Sequence, residues 1–188
     1  MTLLIAGVVL WSVAHLFPAV APGARANLAG KLGAGPYKGL FALDIVLALA
    51  LIIFGWKAAT PTAIYAPPLF GSPIPSALLF IAILLFVMAR APNNLKRYIR
   101  HPQLSAVFLW GISHLLTNGD SRSVVLFGGL AFWSVLEMIF VSKRDGEWQK
   151  PDSVPLLKDI ITVVIAVVVF AGLLYFHAAM FGVAPIPA

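Results

Sequence analysis

Cysteine is absent from the 188-residue sequence. That excludes disulfides, thiolate nucleophiles, thiolate-ligated zinc, iron–sulfur clusters and covalently attached c-type haem. Charge is scarce as well. Asp, Glu, Lys and Arg make up 11% of the residues, against about a quarter in a soluble domain, so the chain cannot clothe a water-facing surface. No Gly-rich phosphate loop, nucleophile elbow or zinc-peptidase pattern occurs in it. Apolar residues are abundant, at 61% of the chain, with a mean hydropathy of +0.96. The solvent that accepts such an exterior is the bilayer core. The length suits a single unit over residues 1–188 with no appended soluble domain.

Each crossing of the hydrocarbon core needs about 20 apolar residues. Six segments approach or meet that length: Leu3 to Val20, Tyr37 to Trp56, Pro75 to Ala89, Pro102 to Asn118-Gly119, Ser123 to Val141, and Lys158 to Met180. The sequence therefore predicts an all-α polytopic membrane protein, a bundle of six transmembrane helices. The first segment has an A-x-A pattern at Ala19 to Ala21, like a signal-peptide cleavage site. It lacks a preceding basic stretch, however, and contains His15, which favours a retained helix. Asn118-Gly119-Asp120 reads as a tight turn. The five prolines between Pro61 and Pro75 read as an irregular loop.

Orientation follows from the basic residues. Arg25, Lys31, Lys38, Arg90, Lys96, Arg97, Arg100, Lys143, Arg144, Lys150 and Lys158 fall in alternate loops on one side, leaving Lys57 and Arg122 on the other. Eleven against two makes the basic loops cytoplasmic and puts both termini on the outer side. The net charge of +6 is thus explained by topology, and nucleic acid is not an expected partner. Asn94 to Arg100 could meet anionic lipid headgroups. The buried acids Asp44 and Glu137 lie toward cytoplasmic helix ends, where pairing with Arg97, Arg100 or Lys38 is the expected structural role.

Ionisable groups inside a span are functional candidates. His15 and His114 are the deepest histidines, each about 18 Å along its helix at 1.5 Å per residue. Leu10-Trp11-Ser12-Val13-Ala14-His15-Leu16 and Leu109-Trp110-Gly111-Ile112-Ser113-His114-Leu115 share the pattern L-W-x-x-x-H-L. That hints at two three-helix halves in inverted orientation, with a site near the midplane. Two imidazoles facing each other across a bundle are suited to the axial positions of a b-type haem, with Trp11 and Trp110 one turn back on the same faces. The alternative is that each histidine makes only an interhelical hydrogen bond. His101 reads as an interfacial helix-start residue and His177 as an outer anchor; either could hold a second metal, a propionate or a substrate.

The run Arg100-His101-Pro102-Gln103-Leu104 through Leu109-Trp110, followed by His114-Leu115-Leu116-Thr117-Asn118-Gly119-Asp120 and Leu126-Phe127-Gly128-Gly129, resembles the signature of the NnrU family. Supporting matches are His15 with Pro18, Gly35-Pro36-Tyr37-Lys38-Gly39-Leu40-Phe41, and His177 before Gly182-Val183. The resemblance implies a bacterial inner-membrane protein linked with denitrification and nitric oxide metabolism. The family is also similar to the plant 15-cis-zeta-carotene isomerase, a membrane enzyme that uses haem b. That likeness implies haem b here, with His15 and His114 on the ligand positions and His101 on a histidine not assigned as axial. Gly111 stands where the isomerase has a cysteine, so a thiolate ligand-exchange mechanism is not expected.

The expectation is a haem-b protein with both termini periplasmic, partnered by the lipid bilayer, haem and a small apolar or gaseous ligand. Its role is either non-enzymatic (sensor, electron carrier or assembly protein) or enzymatic, as a polyene cis–trans isomerase or a nitric-oxide-related oxidoreductase. A small-molecule transporter is a third reading, drawn from the repeat alone.

Overall fold

A computed structural model describes residues 1–68 and 73–185. The chain is 77% helix with no strands among the described residues. Seven helices carry it: α1 (Thr2–Val20), α2 (Pro22–Leu32), α3 (Ala34–Ala58), α4 (Pro73–Arg90), α5 (Pro102–Leu115), α6 (Ser121–Asp145) and α7 (Leu157–Phe181). Residues 69–72 of the expected proline-rich loop lie outside the described residues.

Five helices, α1, α3, α4, α6 and α7, are long and apolar enough to cross a bilayer. The chain is therefore a multi-pass membrane protein. Leu43, Val46 and Phe54 on α3, with Val164, Val168 and Phe176 on α7, stand exposed. Apolar faces of that extent belong against lipid. The expected fourth span is the shortest of the six expected crossings. α5 has 14 residues, about 21 Å at 1.5 Å each, because the chain turns at Thr117 to Asp120. With its flanks it still joins the two ends of the bundle.

The stretch between the first two spans, expected as a loop, is instead helical. Pro22 occupies a first-turn position of α2, where its fixed φ is already helical and its missing N–H costs nothing. Alanine and leucine then sustain the helix. Gly33, at φ 85°, breaks it and turns the chain into α3.

The helices pack in the order α3, α1, α6, α5, α4, α7. α1 and α5 both rest on α6 rather than on each other. Two glycines show which faces of α6 are used. A Cβ at Gly129 would lie 2.7 Å from Val8 of α1. A Cβ at Gly111 of α5 would lie 2.6 Å from the Phe127 carbonyl and 2.9 Å from Ala131. The α1-facing and α5-facing residues of α6 differ by two positions, about 200° around a helix. α6 therefore stands between α1 and α5. Under an exchange of three-helix halves, α1–α3 corresponds to α5–α6, whereas α1–α6 has no such counterpart among the major contacts.

Loop contacts define the two ends. At one, the Ile64 and Tyr65 amides donate to Gly119 O, and the Arg122 guanidinium lies 4.7 Å from the Trp56 ring. At the other, Asn94 N donates to Asp159 Oδ1 at 2.7 Å, Asn94 Nδ2 donates to Val154 O, and Arg100 donates to Gly146 O. The loops carrying Arg90 to Arg100 and Lys143 to Lys158 thus share one end, as the charge pattern requires.

Candidate functional site

His15 and His114 are held in the same way. His15 Nδ1 lies 2.8 Å from Trp11 O, and His114 Nδ1 lies 2.8 Å from Trp110 O. A carbonyl can only accept, so Nδ1 carries the proton in both rings. Nε2 is left as the bare nitrogen, the form in which a neutral imidazole ligates a metal. The repeated tryptophan supplies the carbonyl and also packs on its own histidine, with ring centroids 4.2 Å apart for Trp11–His15 and 5.1 Å for Trp110–His114. The i, i+4 spacing of the L-W-x-x-x-H-L pattern produces this arrangement twice.

The surroundings differ. His15 meets Phe41 of α3 at 5.7 Å and the edge of Trp133 of α6 at 5.2 Å. Three buried polar atoms in this neighbourhood have no hydrogen-bond partner: Trp11 Nε1, Trp133 Nε1 and Glu137 Oε2. Buried polar groups without a partner are uncommon and destabilising, and these three gather on the α1 and α6 residues around His15. His114 stacks face-on against Phe127, at 4.3 Å and 18°, with Trp110 edge-on to the same phenyl at 4.8 Å. Phe127 lies in a π-helical turn, Val124–Gly128. Wide turns of that type often accompany functional sites.

The two histidines are not brought together. Trp133, beside His15, is six residues from Phe127, beside His114, which is about 9 Å along α6. The two lie on its opposite faces. Each imidazole has the donor chemistry of a metal ligand, and the two rest against different residues of α6, His15 on Trp133 and His114 on Phe127. The sequence pattern was sound for each helix and silent about what lay between them. Among the described residues no group of three or more His, Asp and Glu is gathered as a metal site.

His101 Nε2 lies 2.8 Å from Ser142 Oγ, tying α5 to the end of α6 at the basic end of the bundle. Burial, and then the neighbouring Arg100, hold its pKa below the usual histidine value. A cavity of about 350 Å³ there is lined by Lys96, Arg100, His101 and Trp148. The expected pairing of Asp44 and Glu137 with basic residues does not occur. The ion pairs among the described residues are Arg122–Asp120 and Arg144–Asp145, and Arg100 turns to a loop carbonyl instead.

His177 was read as an anchor, yet it is held like the other two. Its Nδ1 lies 2.8 Å from Val183 O, leaving Nε2 bare. The missed signal was Gly182, whose left-handed φ of 74° carries the chain back past the histidine.

No curated protein and no solved structure matches the chain. A family model described as NnrU protein matches residues 3–185. That span includes the paired Trp–His settings, the Asn118-Gly119-Asp120 turn and the Gly182-Val183 return, and so the chain belongs to the NnrU family.

Proposed function

We propose that this protein binds haem b in the bacterial inner membrane and serves nitric oxide or denitrification metabolism. His114 is the principal iron ligand in this reading. His15 is a second imidazole competent to ligate, on the far side of α6. The observation that carries the reading is the matched preparation of the two rings. Both Nδ1–H groups are fixed to a carbonyl four residues back, and neither Nε2 takes a hydrogen bond among the described residues.

Haem would supply an iron that takes a small gaseous ligand or an electron. The protein's own contribution is to orient His114 between Trp110 and Phe127 and to keep its neutral tautomer. It also keeps water from the ring by placing it against aromatic faces. Both termini are periplasmic in this reading, supported by the basic residues gathered at the opposite end of the bundle. No feature of the bundle favours the isomerase or transporter readings over this one.

The test is an absorption spectrum of the detergent-purified protein after expression with ample haem. A Soret band with about one haem per chain, lost in His114→Ala, is the expected result. A colourless protein overturns the proposal.

A further inference from the structure

α5 and α7 both pack on α4 but not substantially on each other, so a slot opens between them. It is lined by Leu79, Ala82 and Phe86 of α4, Trp110 of α5, and Val169 and Leu173 of α7. Its volume is about 330 Å³, and none of its lining residues is charged. That size and character suit the buried edge of a flat apolar ligand.

One helical turn beyond Trp110 on α5 is His114. One turn beyond Leu173 on α7 is His177. α5 and α7 run in the same direction, and Val169 and Leu173 continue the stripe of the buried residues Thr162 and Ala166. His177 thus shares the slot-facing side of α7. Each of the two imidazoles has its Nδ1–H committed to a backbone carbonyl, Trp110 O for one and Val183 O for the other. Two imidazoles with Nδ1 committed therefore follow one turn after slot-lining residues, His114 after Trp110 and His177 after Leu173.

Resting on the haem reading above, we propose that His114 and His177 are the two axial ligands of a single haem seated in the α4–α5–α7 slot. Two neutral nitrogen donors on neighbouring helices leave four equatorial positions to the macrocycle. An all-apolar lining takes the ring edge without leaving a polar group unpaired. Gly182 is part of the site through the turn that presents Val183 O.

The experiment compares full-length wild type, His177→Ala, His177→Met and His15→Ala, each purified in detergent and supplied with ferric haem, by absorption and electron paramagnetic resonance. The expected pattern is a low-spin wild type, a haem-retaining but high-spin His177→Ala, a low-spin His177→Met with a shifted spectrum, and an unchanged His15→Ala. The methionine variant keeps a ligand and covers the case in which alanine fails to fold. Coloured His177 variants with the wild-type low-spin spectrum overturn this assignment and leave the haem reading standing. So does a high-spin His15→Ala. A wild type that takes up no haem overturns both.

Discussion

The pockets around His15 and His114 begin from one local design and end differently. Each has a tryptophan whose carbonyl fixes the histidine one turn later and whose ring packs on it. Around His15 the neighbours include the indole N–H groups of Trp11 and Trp133, which find no partner, as does one oxygen of Glu137. Around His114 they are a stacked phenyl and an apolar slot. A seven-residue pattern fixes a side chain's tautomer and direction. What that side chain can bind is fixed by the helices opposite.

The largest expected effect separates the two histidines outright. His114→Ala should abolish haem retention, while His15→Ala should leave haem content near wild type, read by pyridine haemochrome assay. Equal loss in both would erase the distinction. Next comes Gly111→Ala, whose Cβ would meet the Phe127 carbonyl. Backbone cannot yield as a side chain can, and overpacking of this kind costs about 1–3 kcal/mol. Thermal unfolding in detergent should show a clear drop, against no change for Gly30→Ala, which meets nothing within 4 Å.

Trp133→Phe should be close to neutral or slightly stabilising, by up to about 1 kcal/mol, because it removes an unsatisfied buried N–H while keeping an aromatic face. A loss of several kcal/mol would mean that this indole has a partner in the membrane. Glu137→Gln should leave the haem spectrum unchanged, and a changed spectrum would join the two pockets functionally.

The smallest effect concerns Asp120, at the mouth of the His114 side. Burial opposes its charge, but hydrogen bonds from Ser123 and Arg122 outweigh that and hold its pKa below the usual aspartate value. A depressed carboxylate contributes stability above its unfolded pKa and loses it as pH falls through the folded value. Acidification below about pH 4 should therefore weaken the start of α6. Asp120→Ala should cost about 1 kcal/mol through the lost cap and flatten that acid dependence, measured by circular dichroism melting.

Much of the architecture was legible in the residues. The spans, the Asn118-Gly119-Asp120 turn and the basic end are direct consequences of hydropathy, turn chemistry and charge placement. α2 was not, since a short polar stretch between prolines and glycines looks like a loop until Pro22 is seen as a helix start. The separation of His15 from His114 was hidden for a different reason. The residues that decide it, Gly111 and Gly129, carry no chemistry of their own, and close approach shows only once the helices are placed. His177 was hidden by distance along the chain, its carbonyl partner lying six residues on, past the end of its helix. Asp44 and Glu137 were assigned to Arg97, Arg100 or Lys38 by depth alone, while the guanidinium of Arg100 donates to the Gly146 carbonyl.

The wide turn at Val124–Gly128 sets the angular phase of α6. A π turn holds more residues per revolution than the α-helix on either side, so it fixes the rotation at which Phe127 leaves toward α5 and Gly129 and Trp133 leave toward α1. Tightening it to α geometry would turn the remainder of the helix relative to its beginning, like a slipped thread. The same turn therefore sets where Phe127 meets His114 and where Trp133 meets His15, from two faces of one helix.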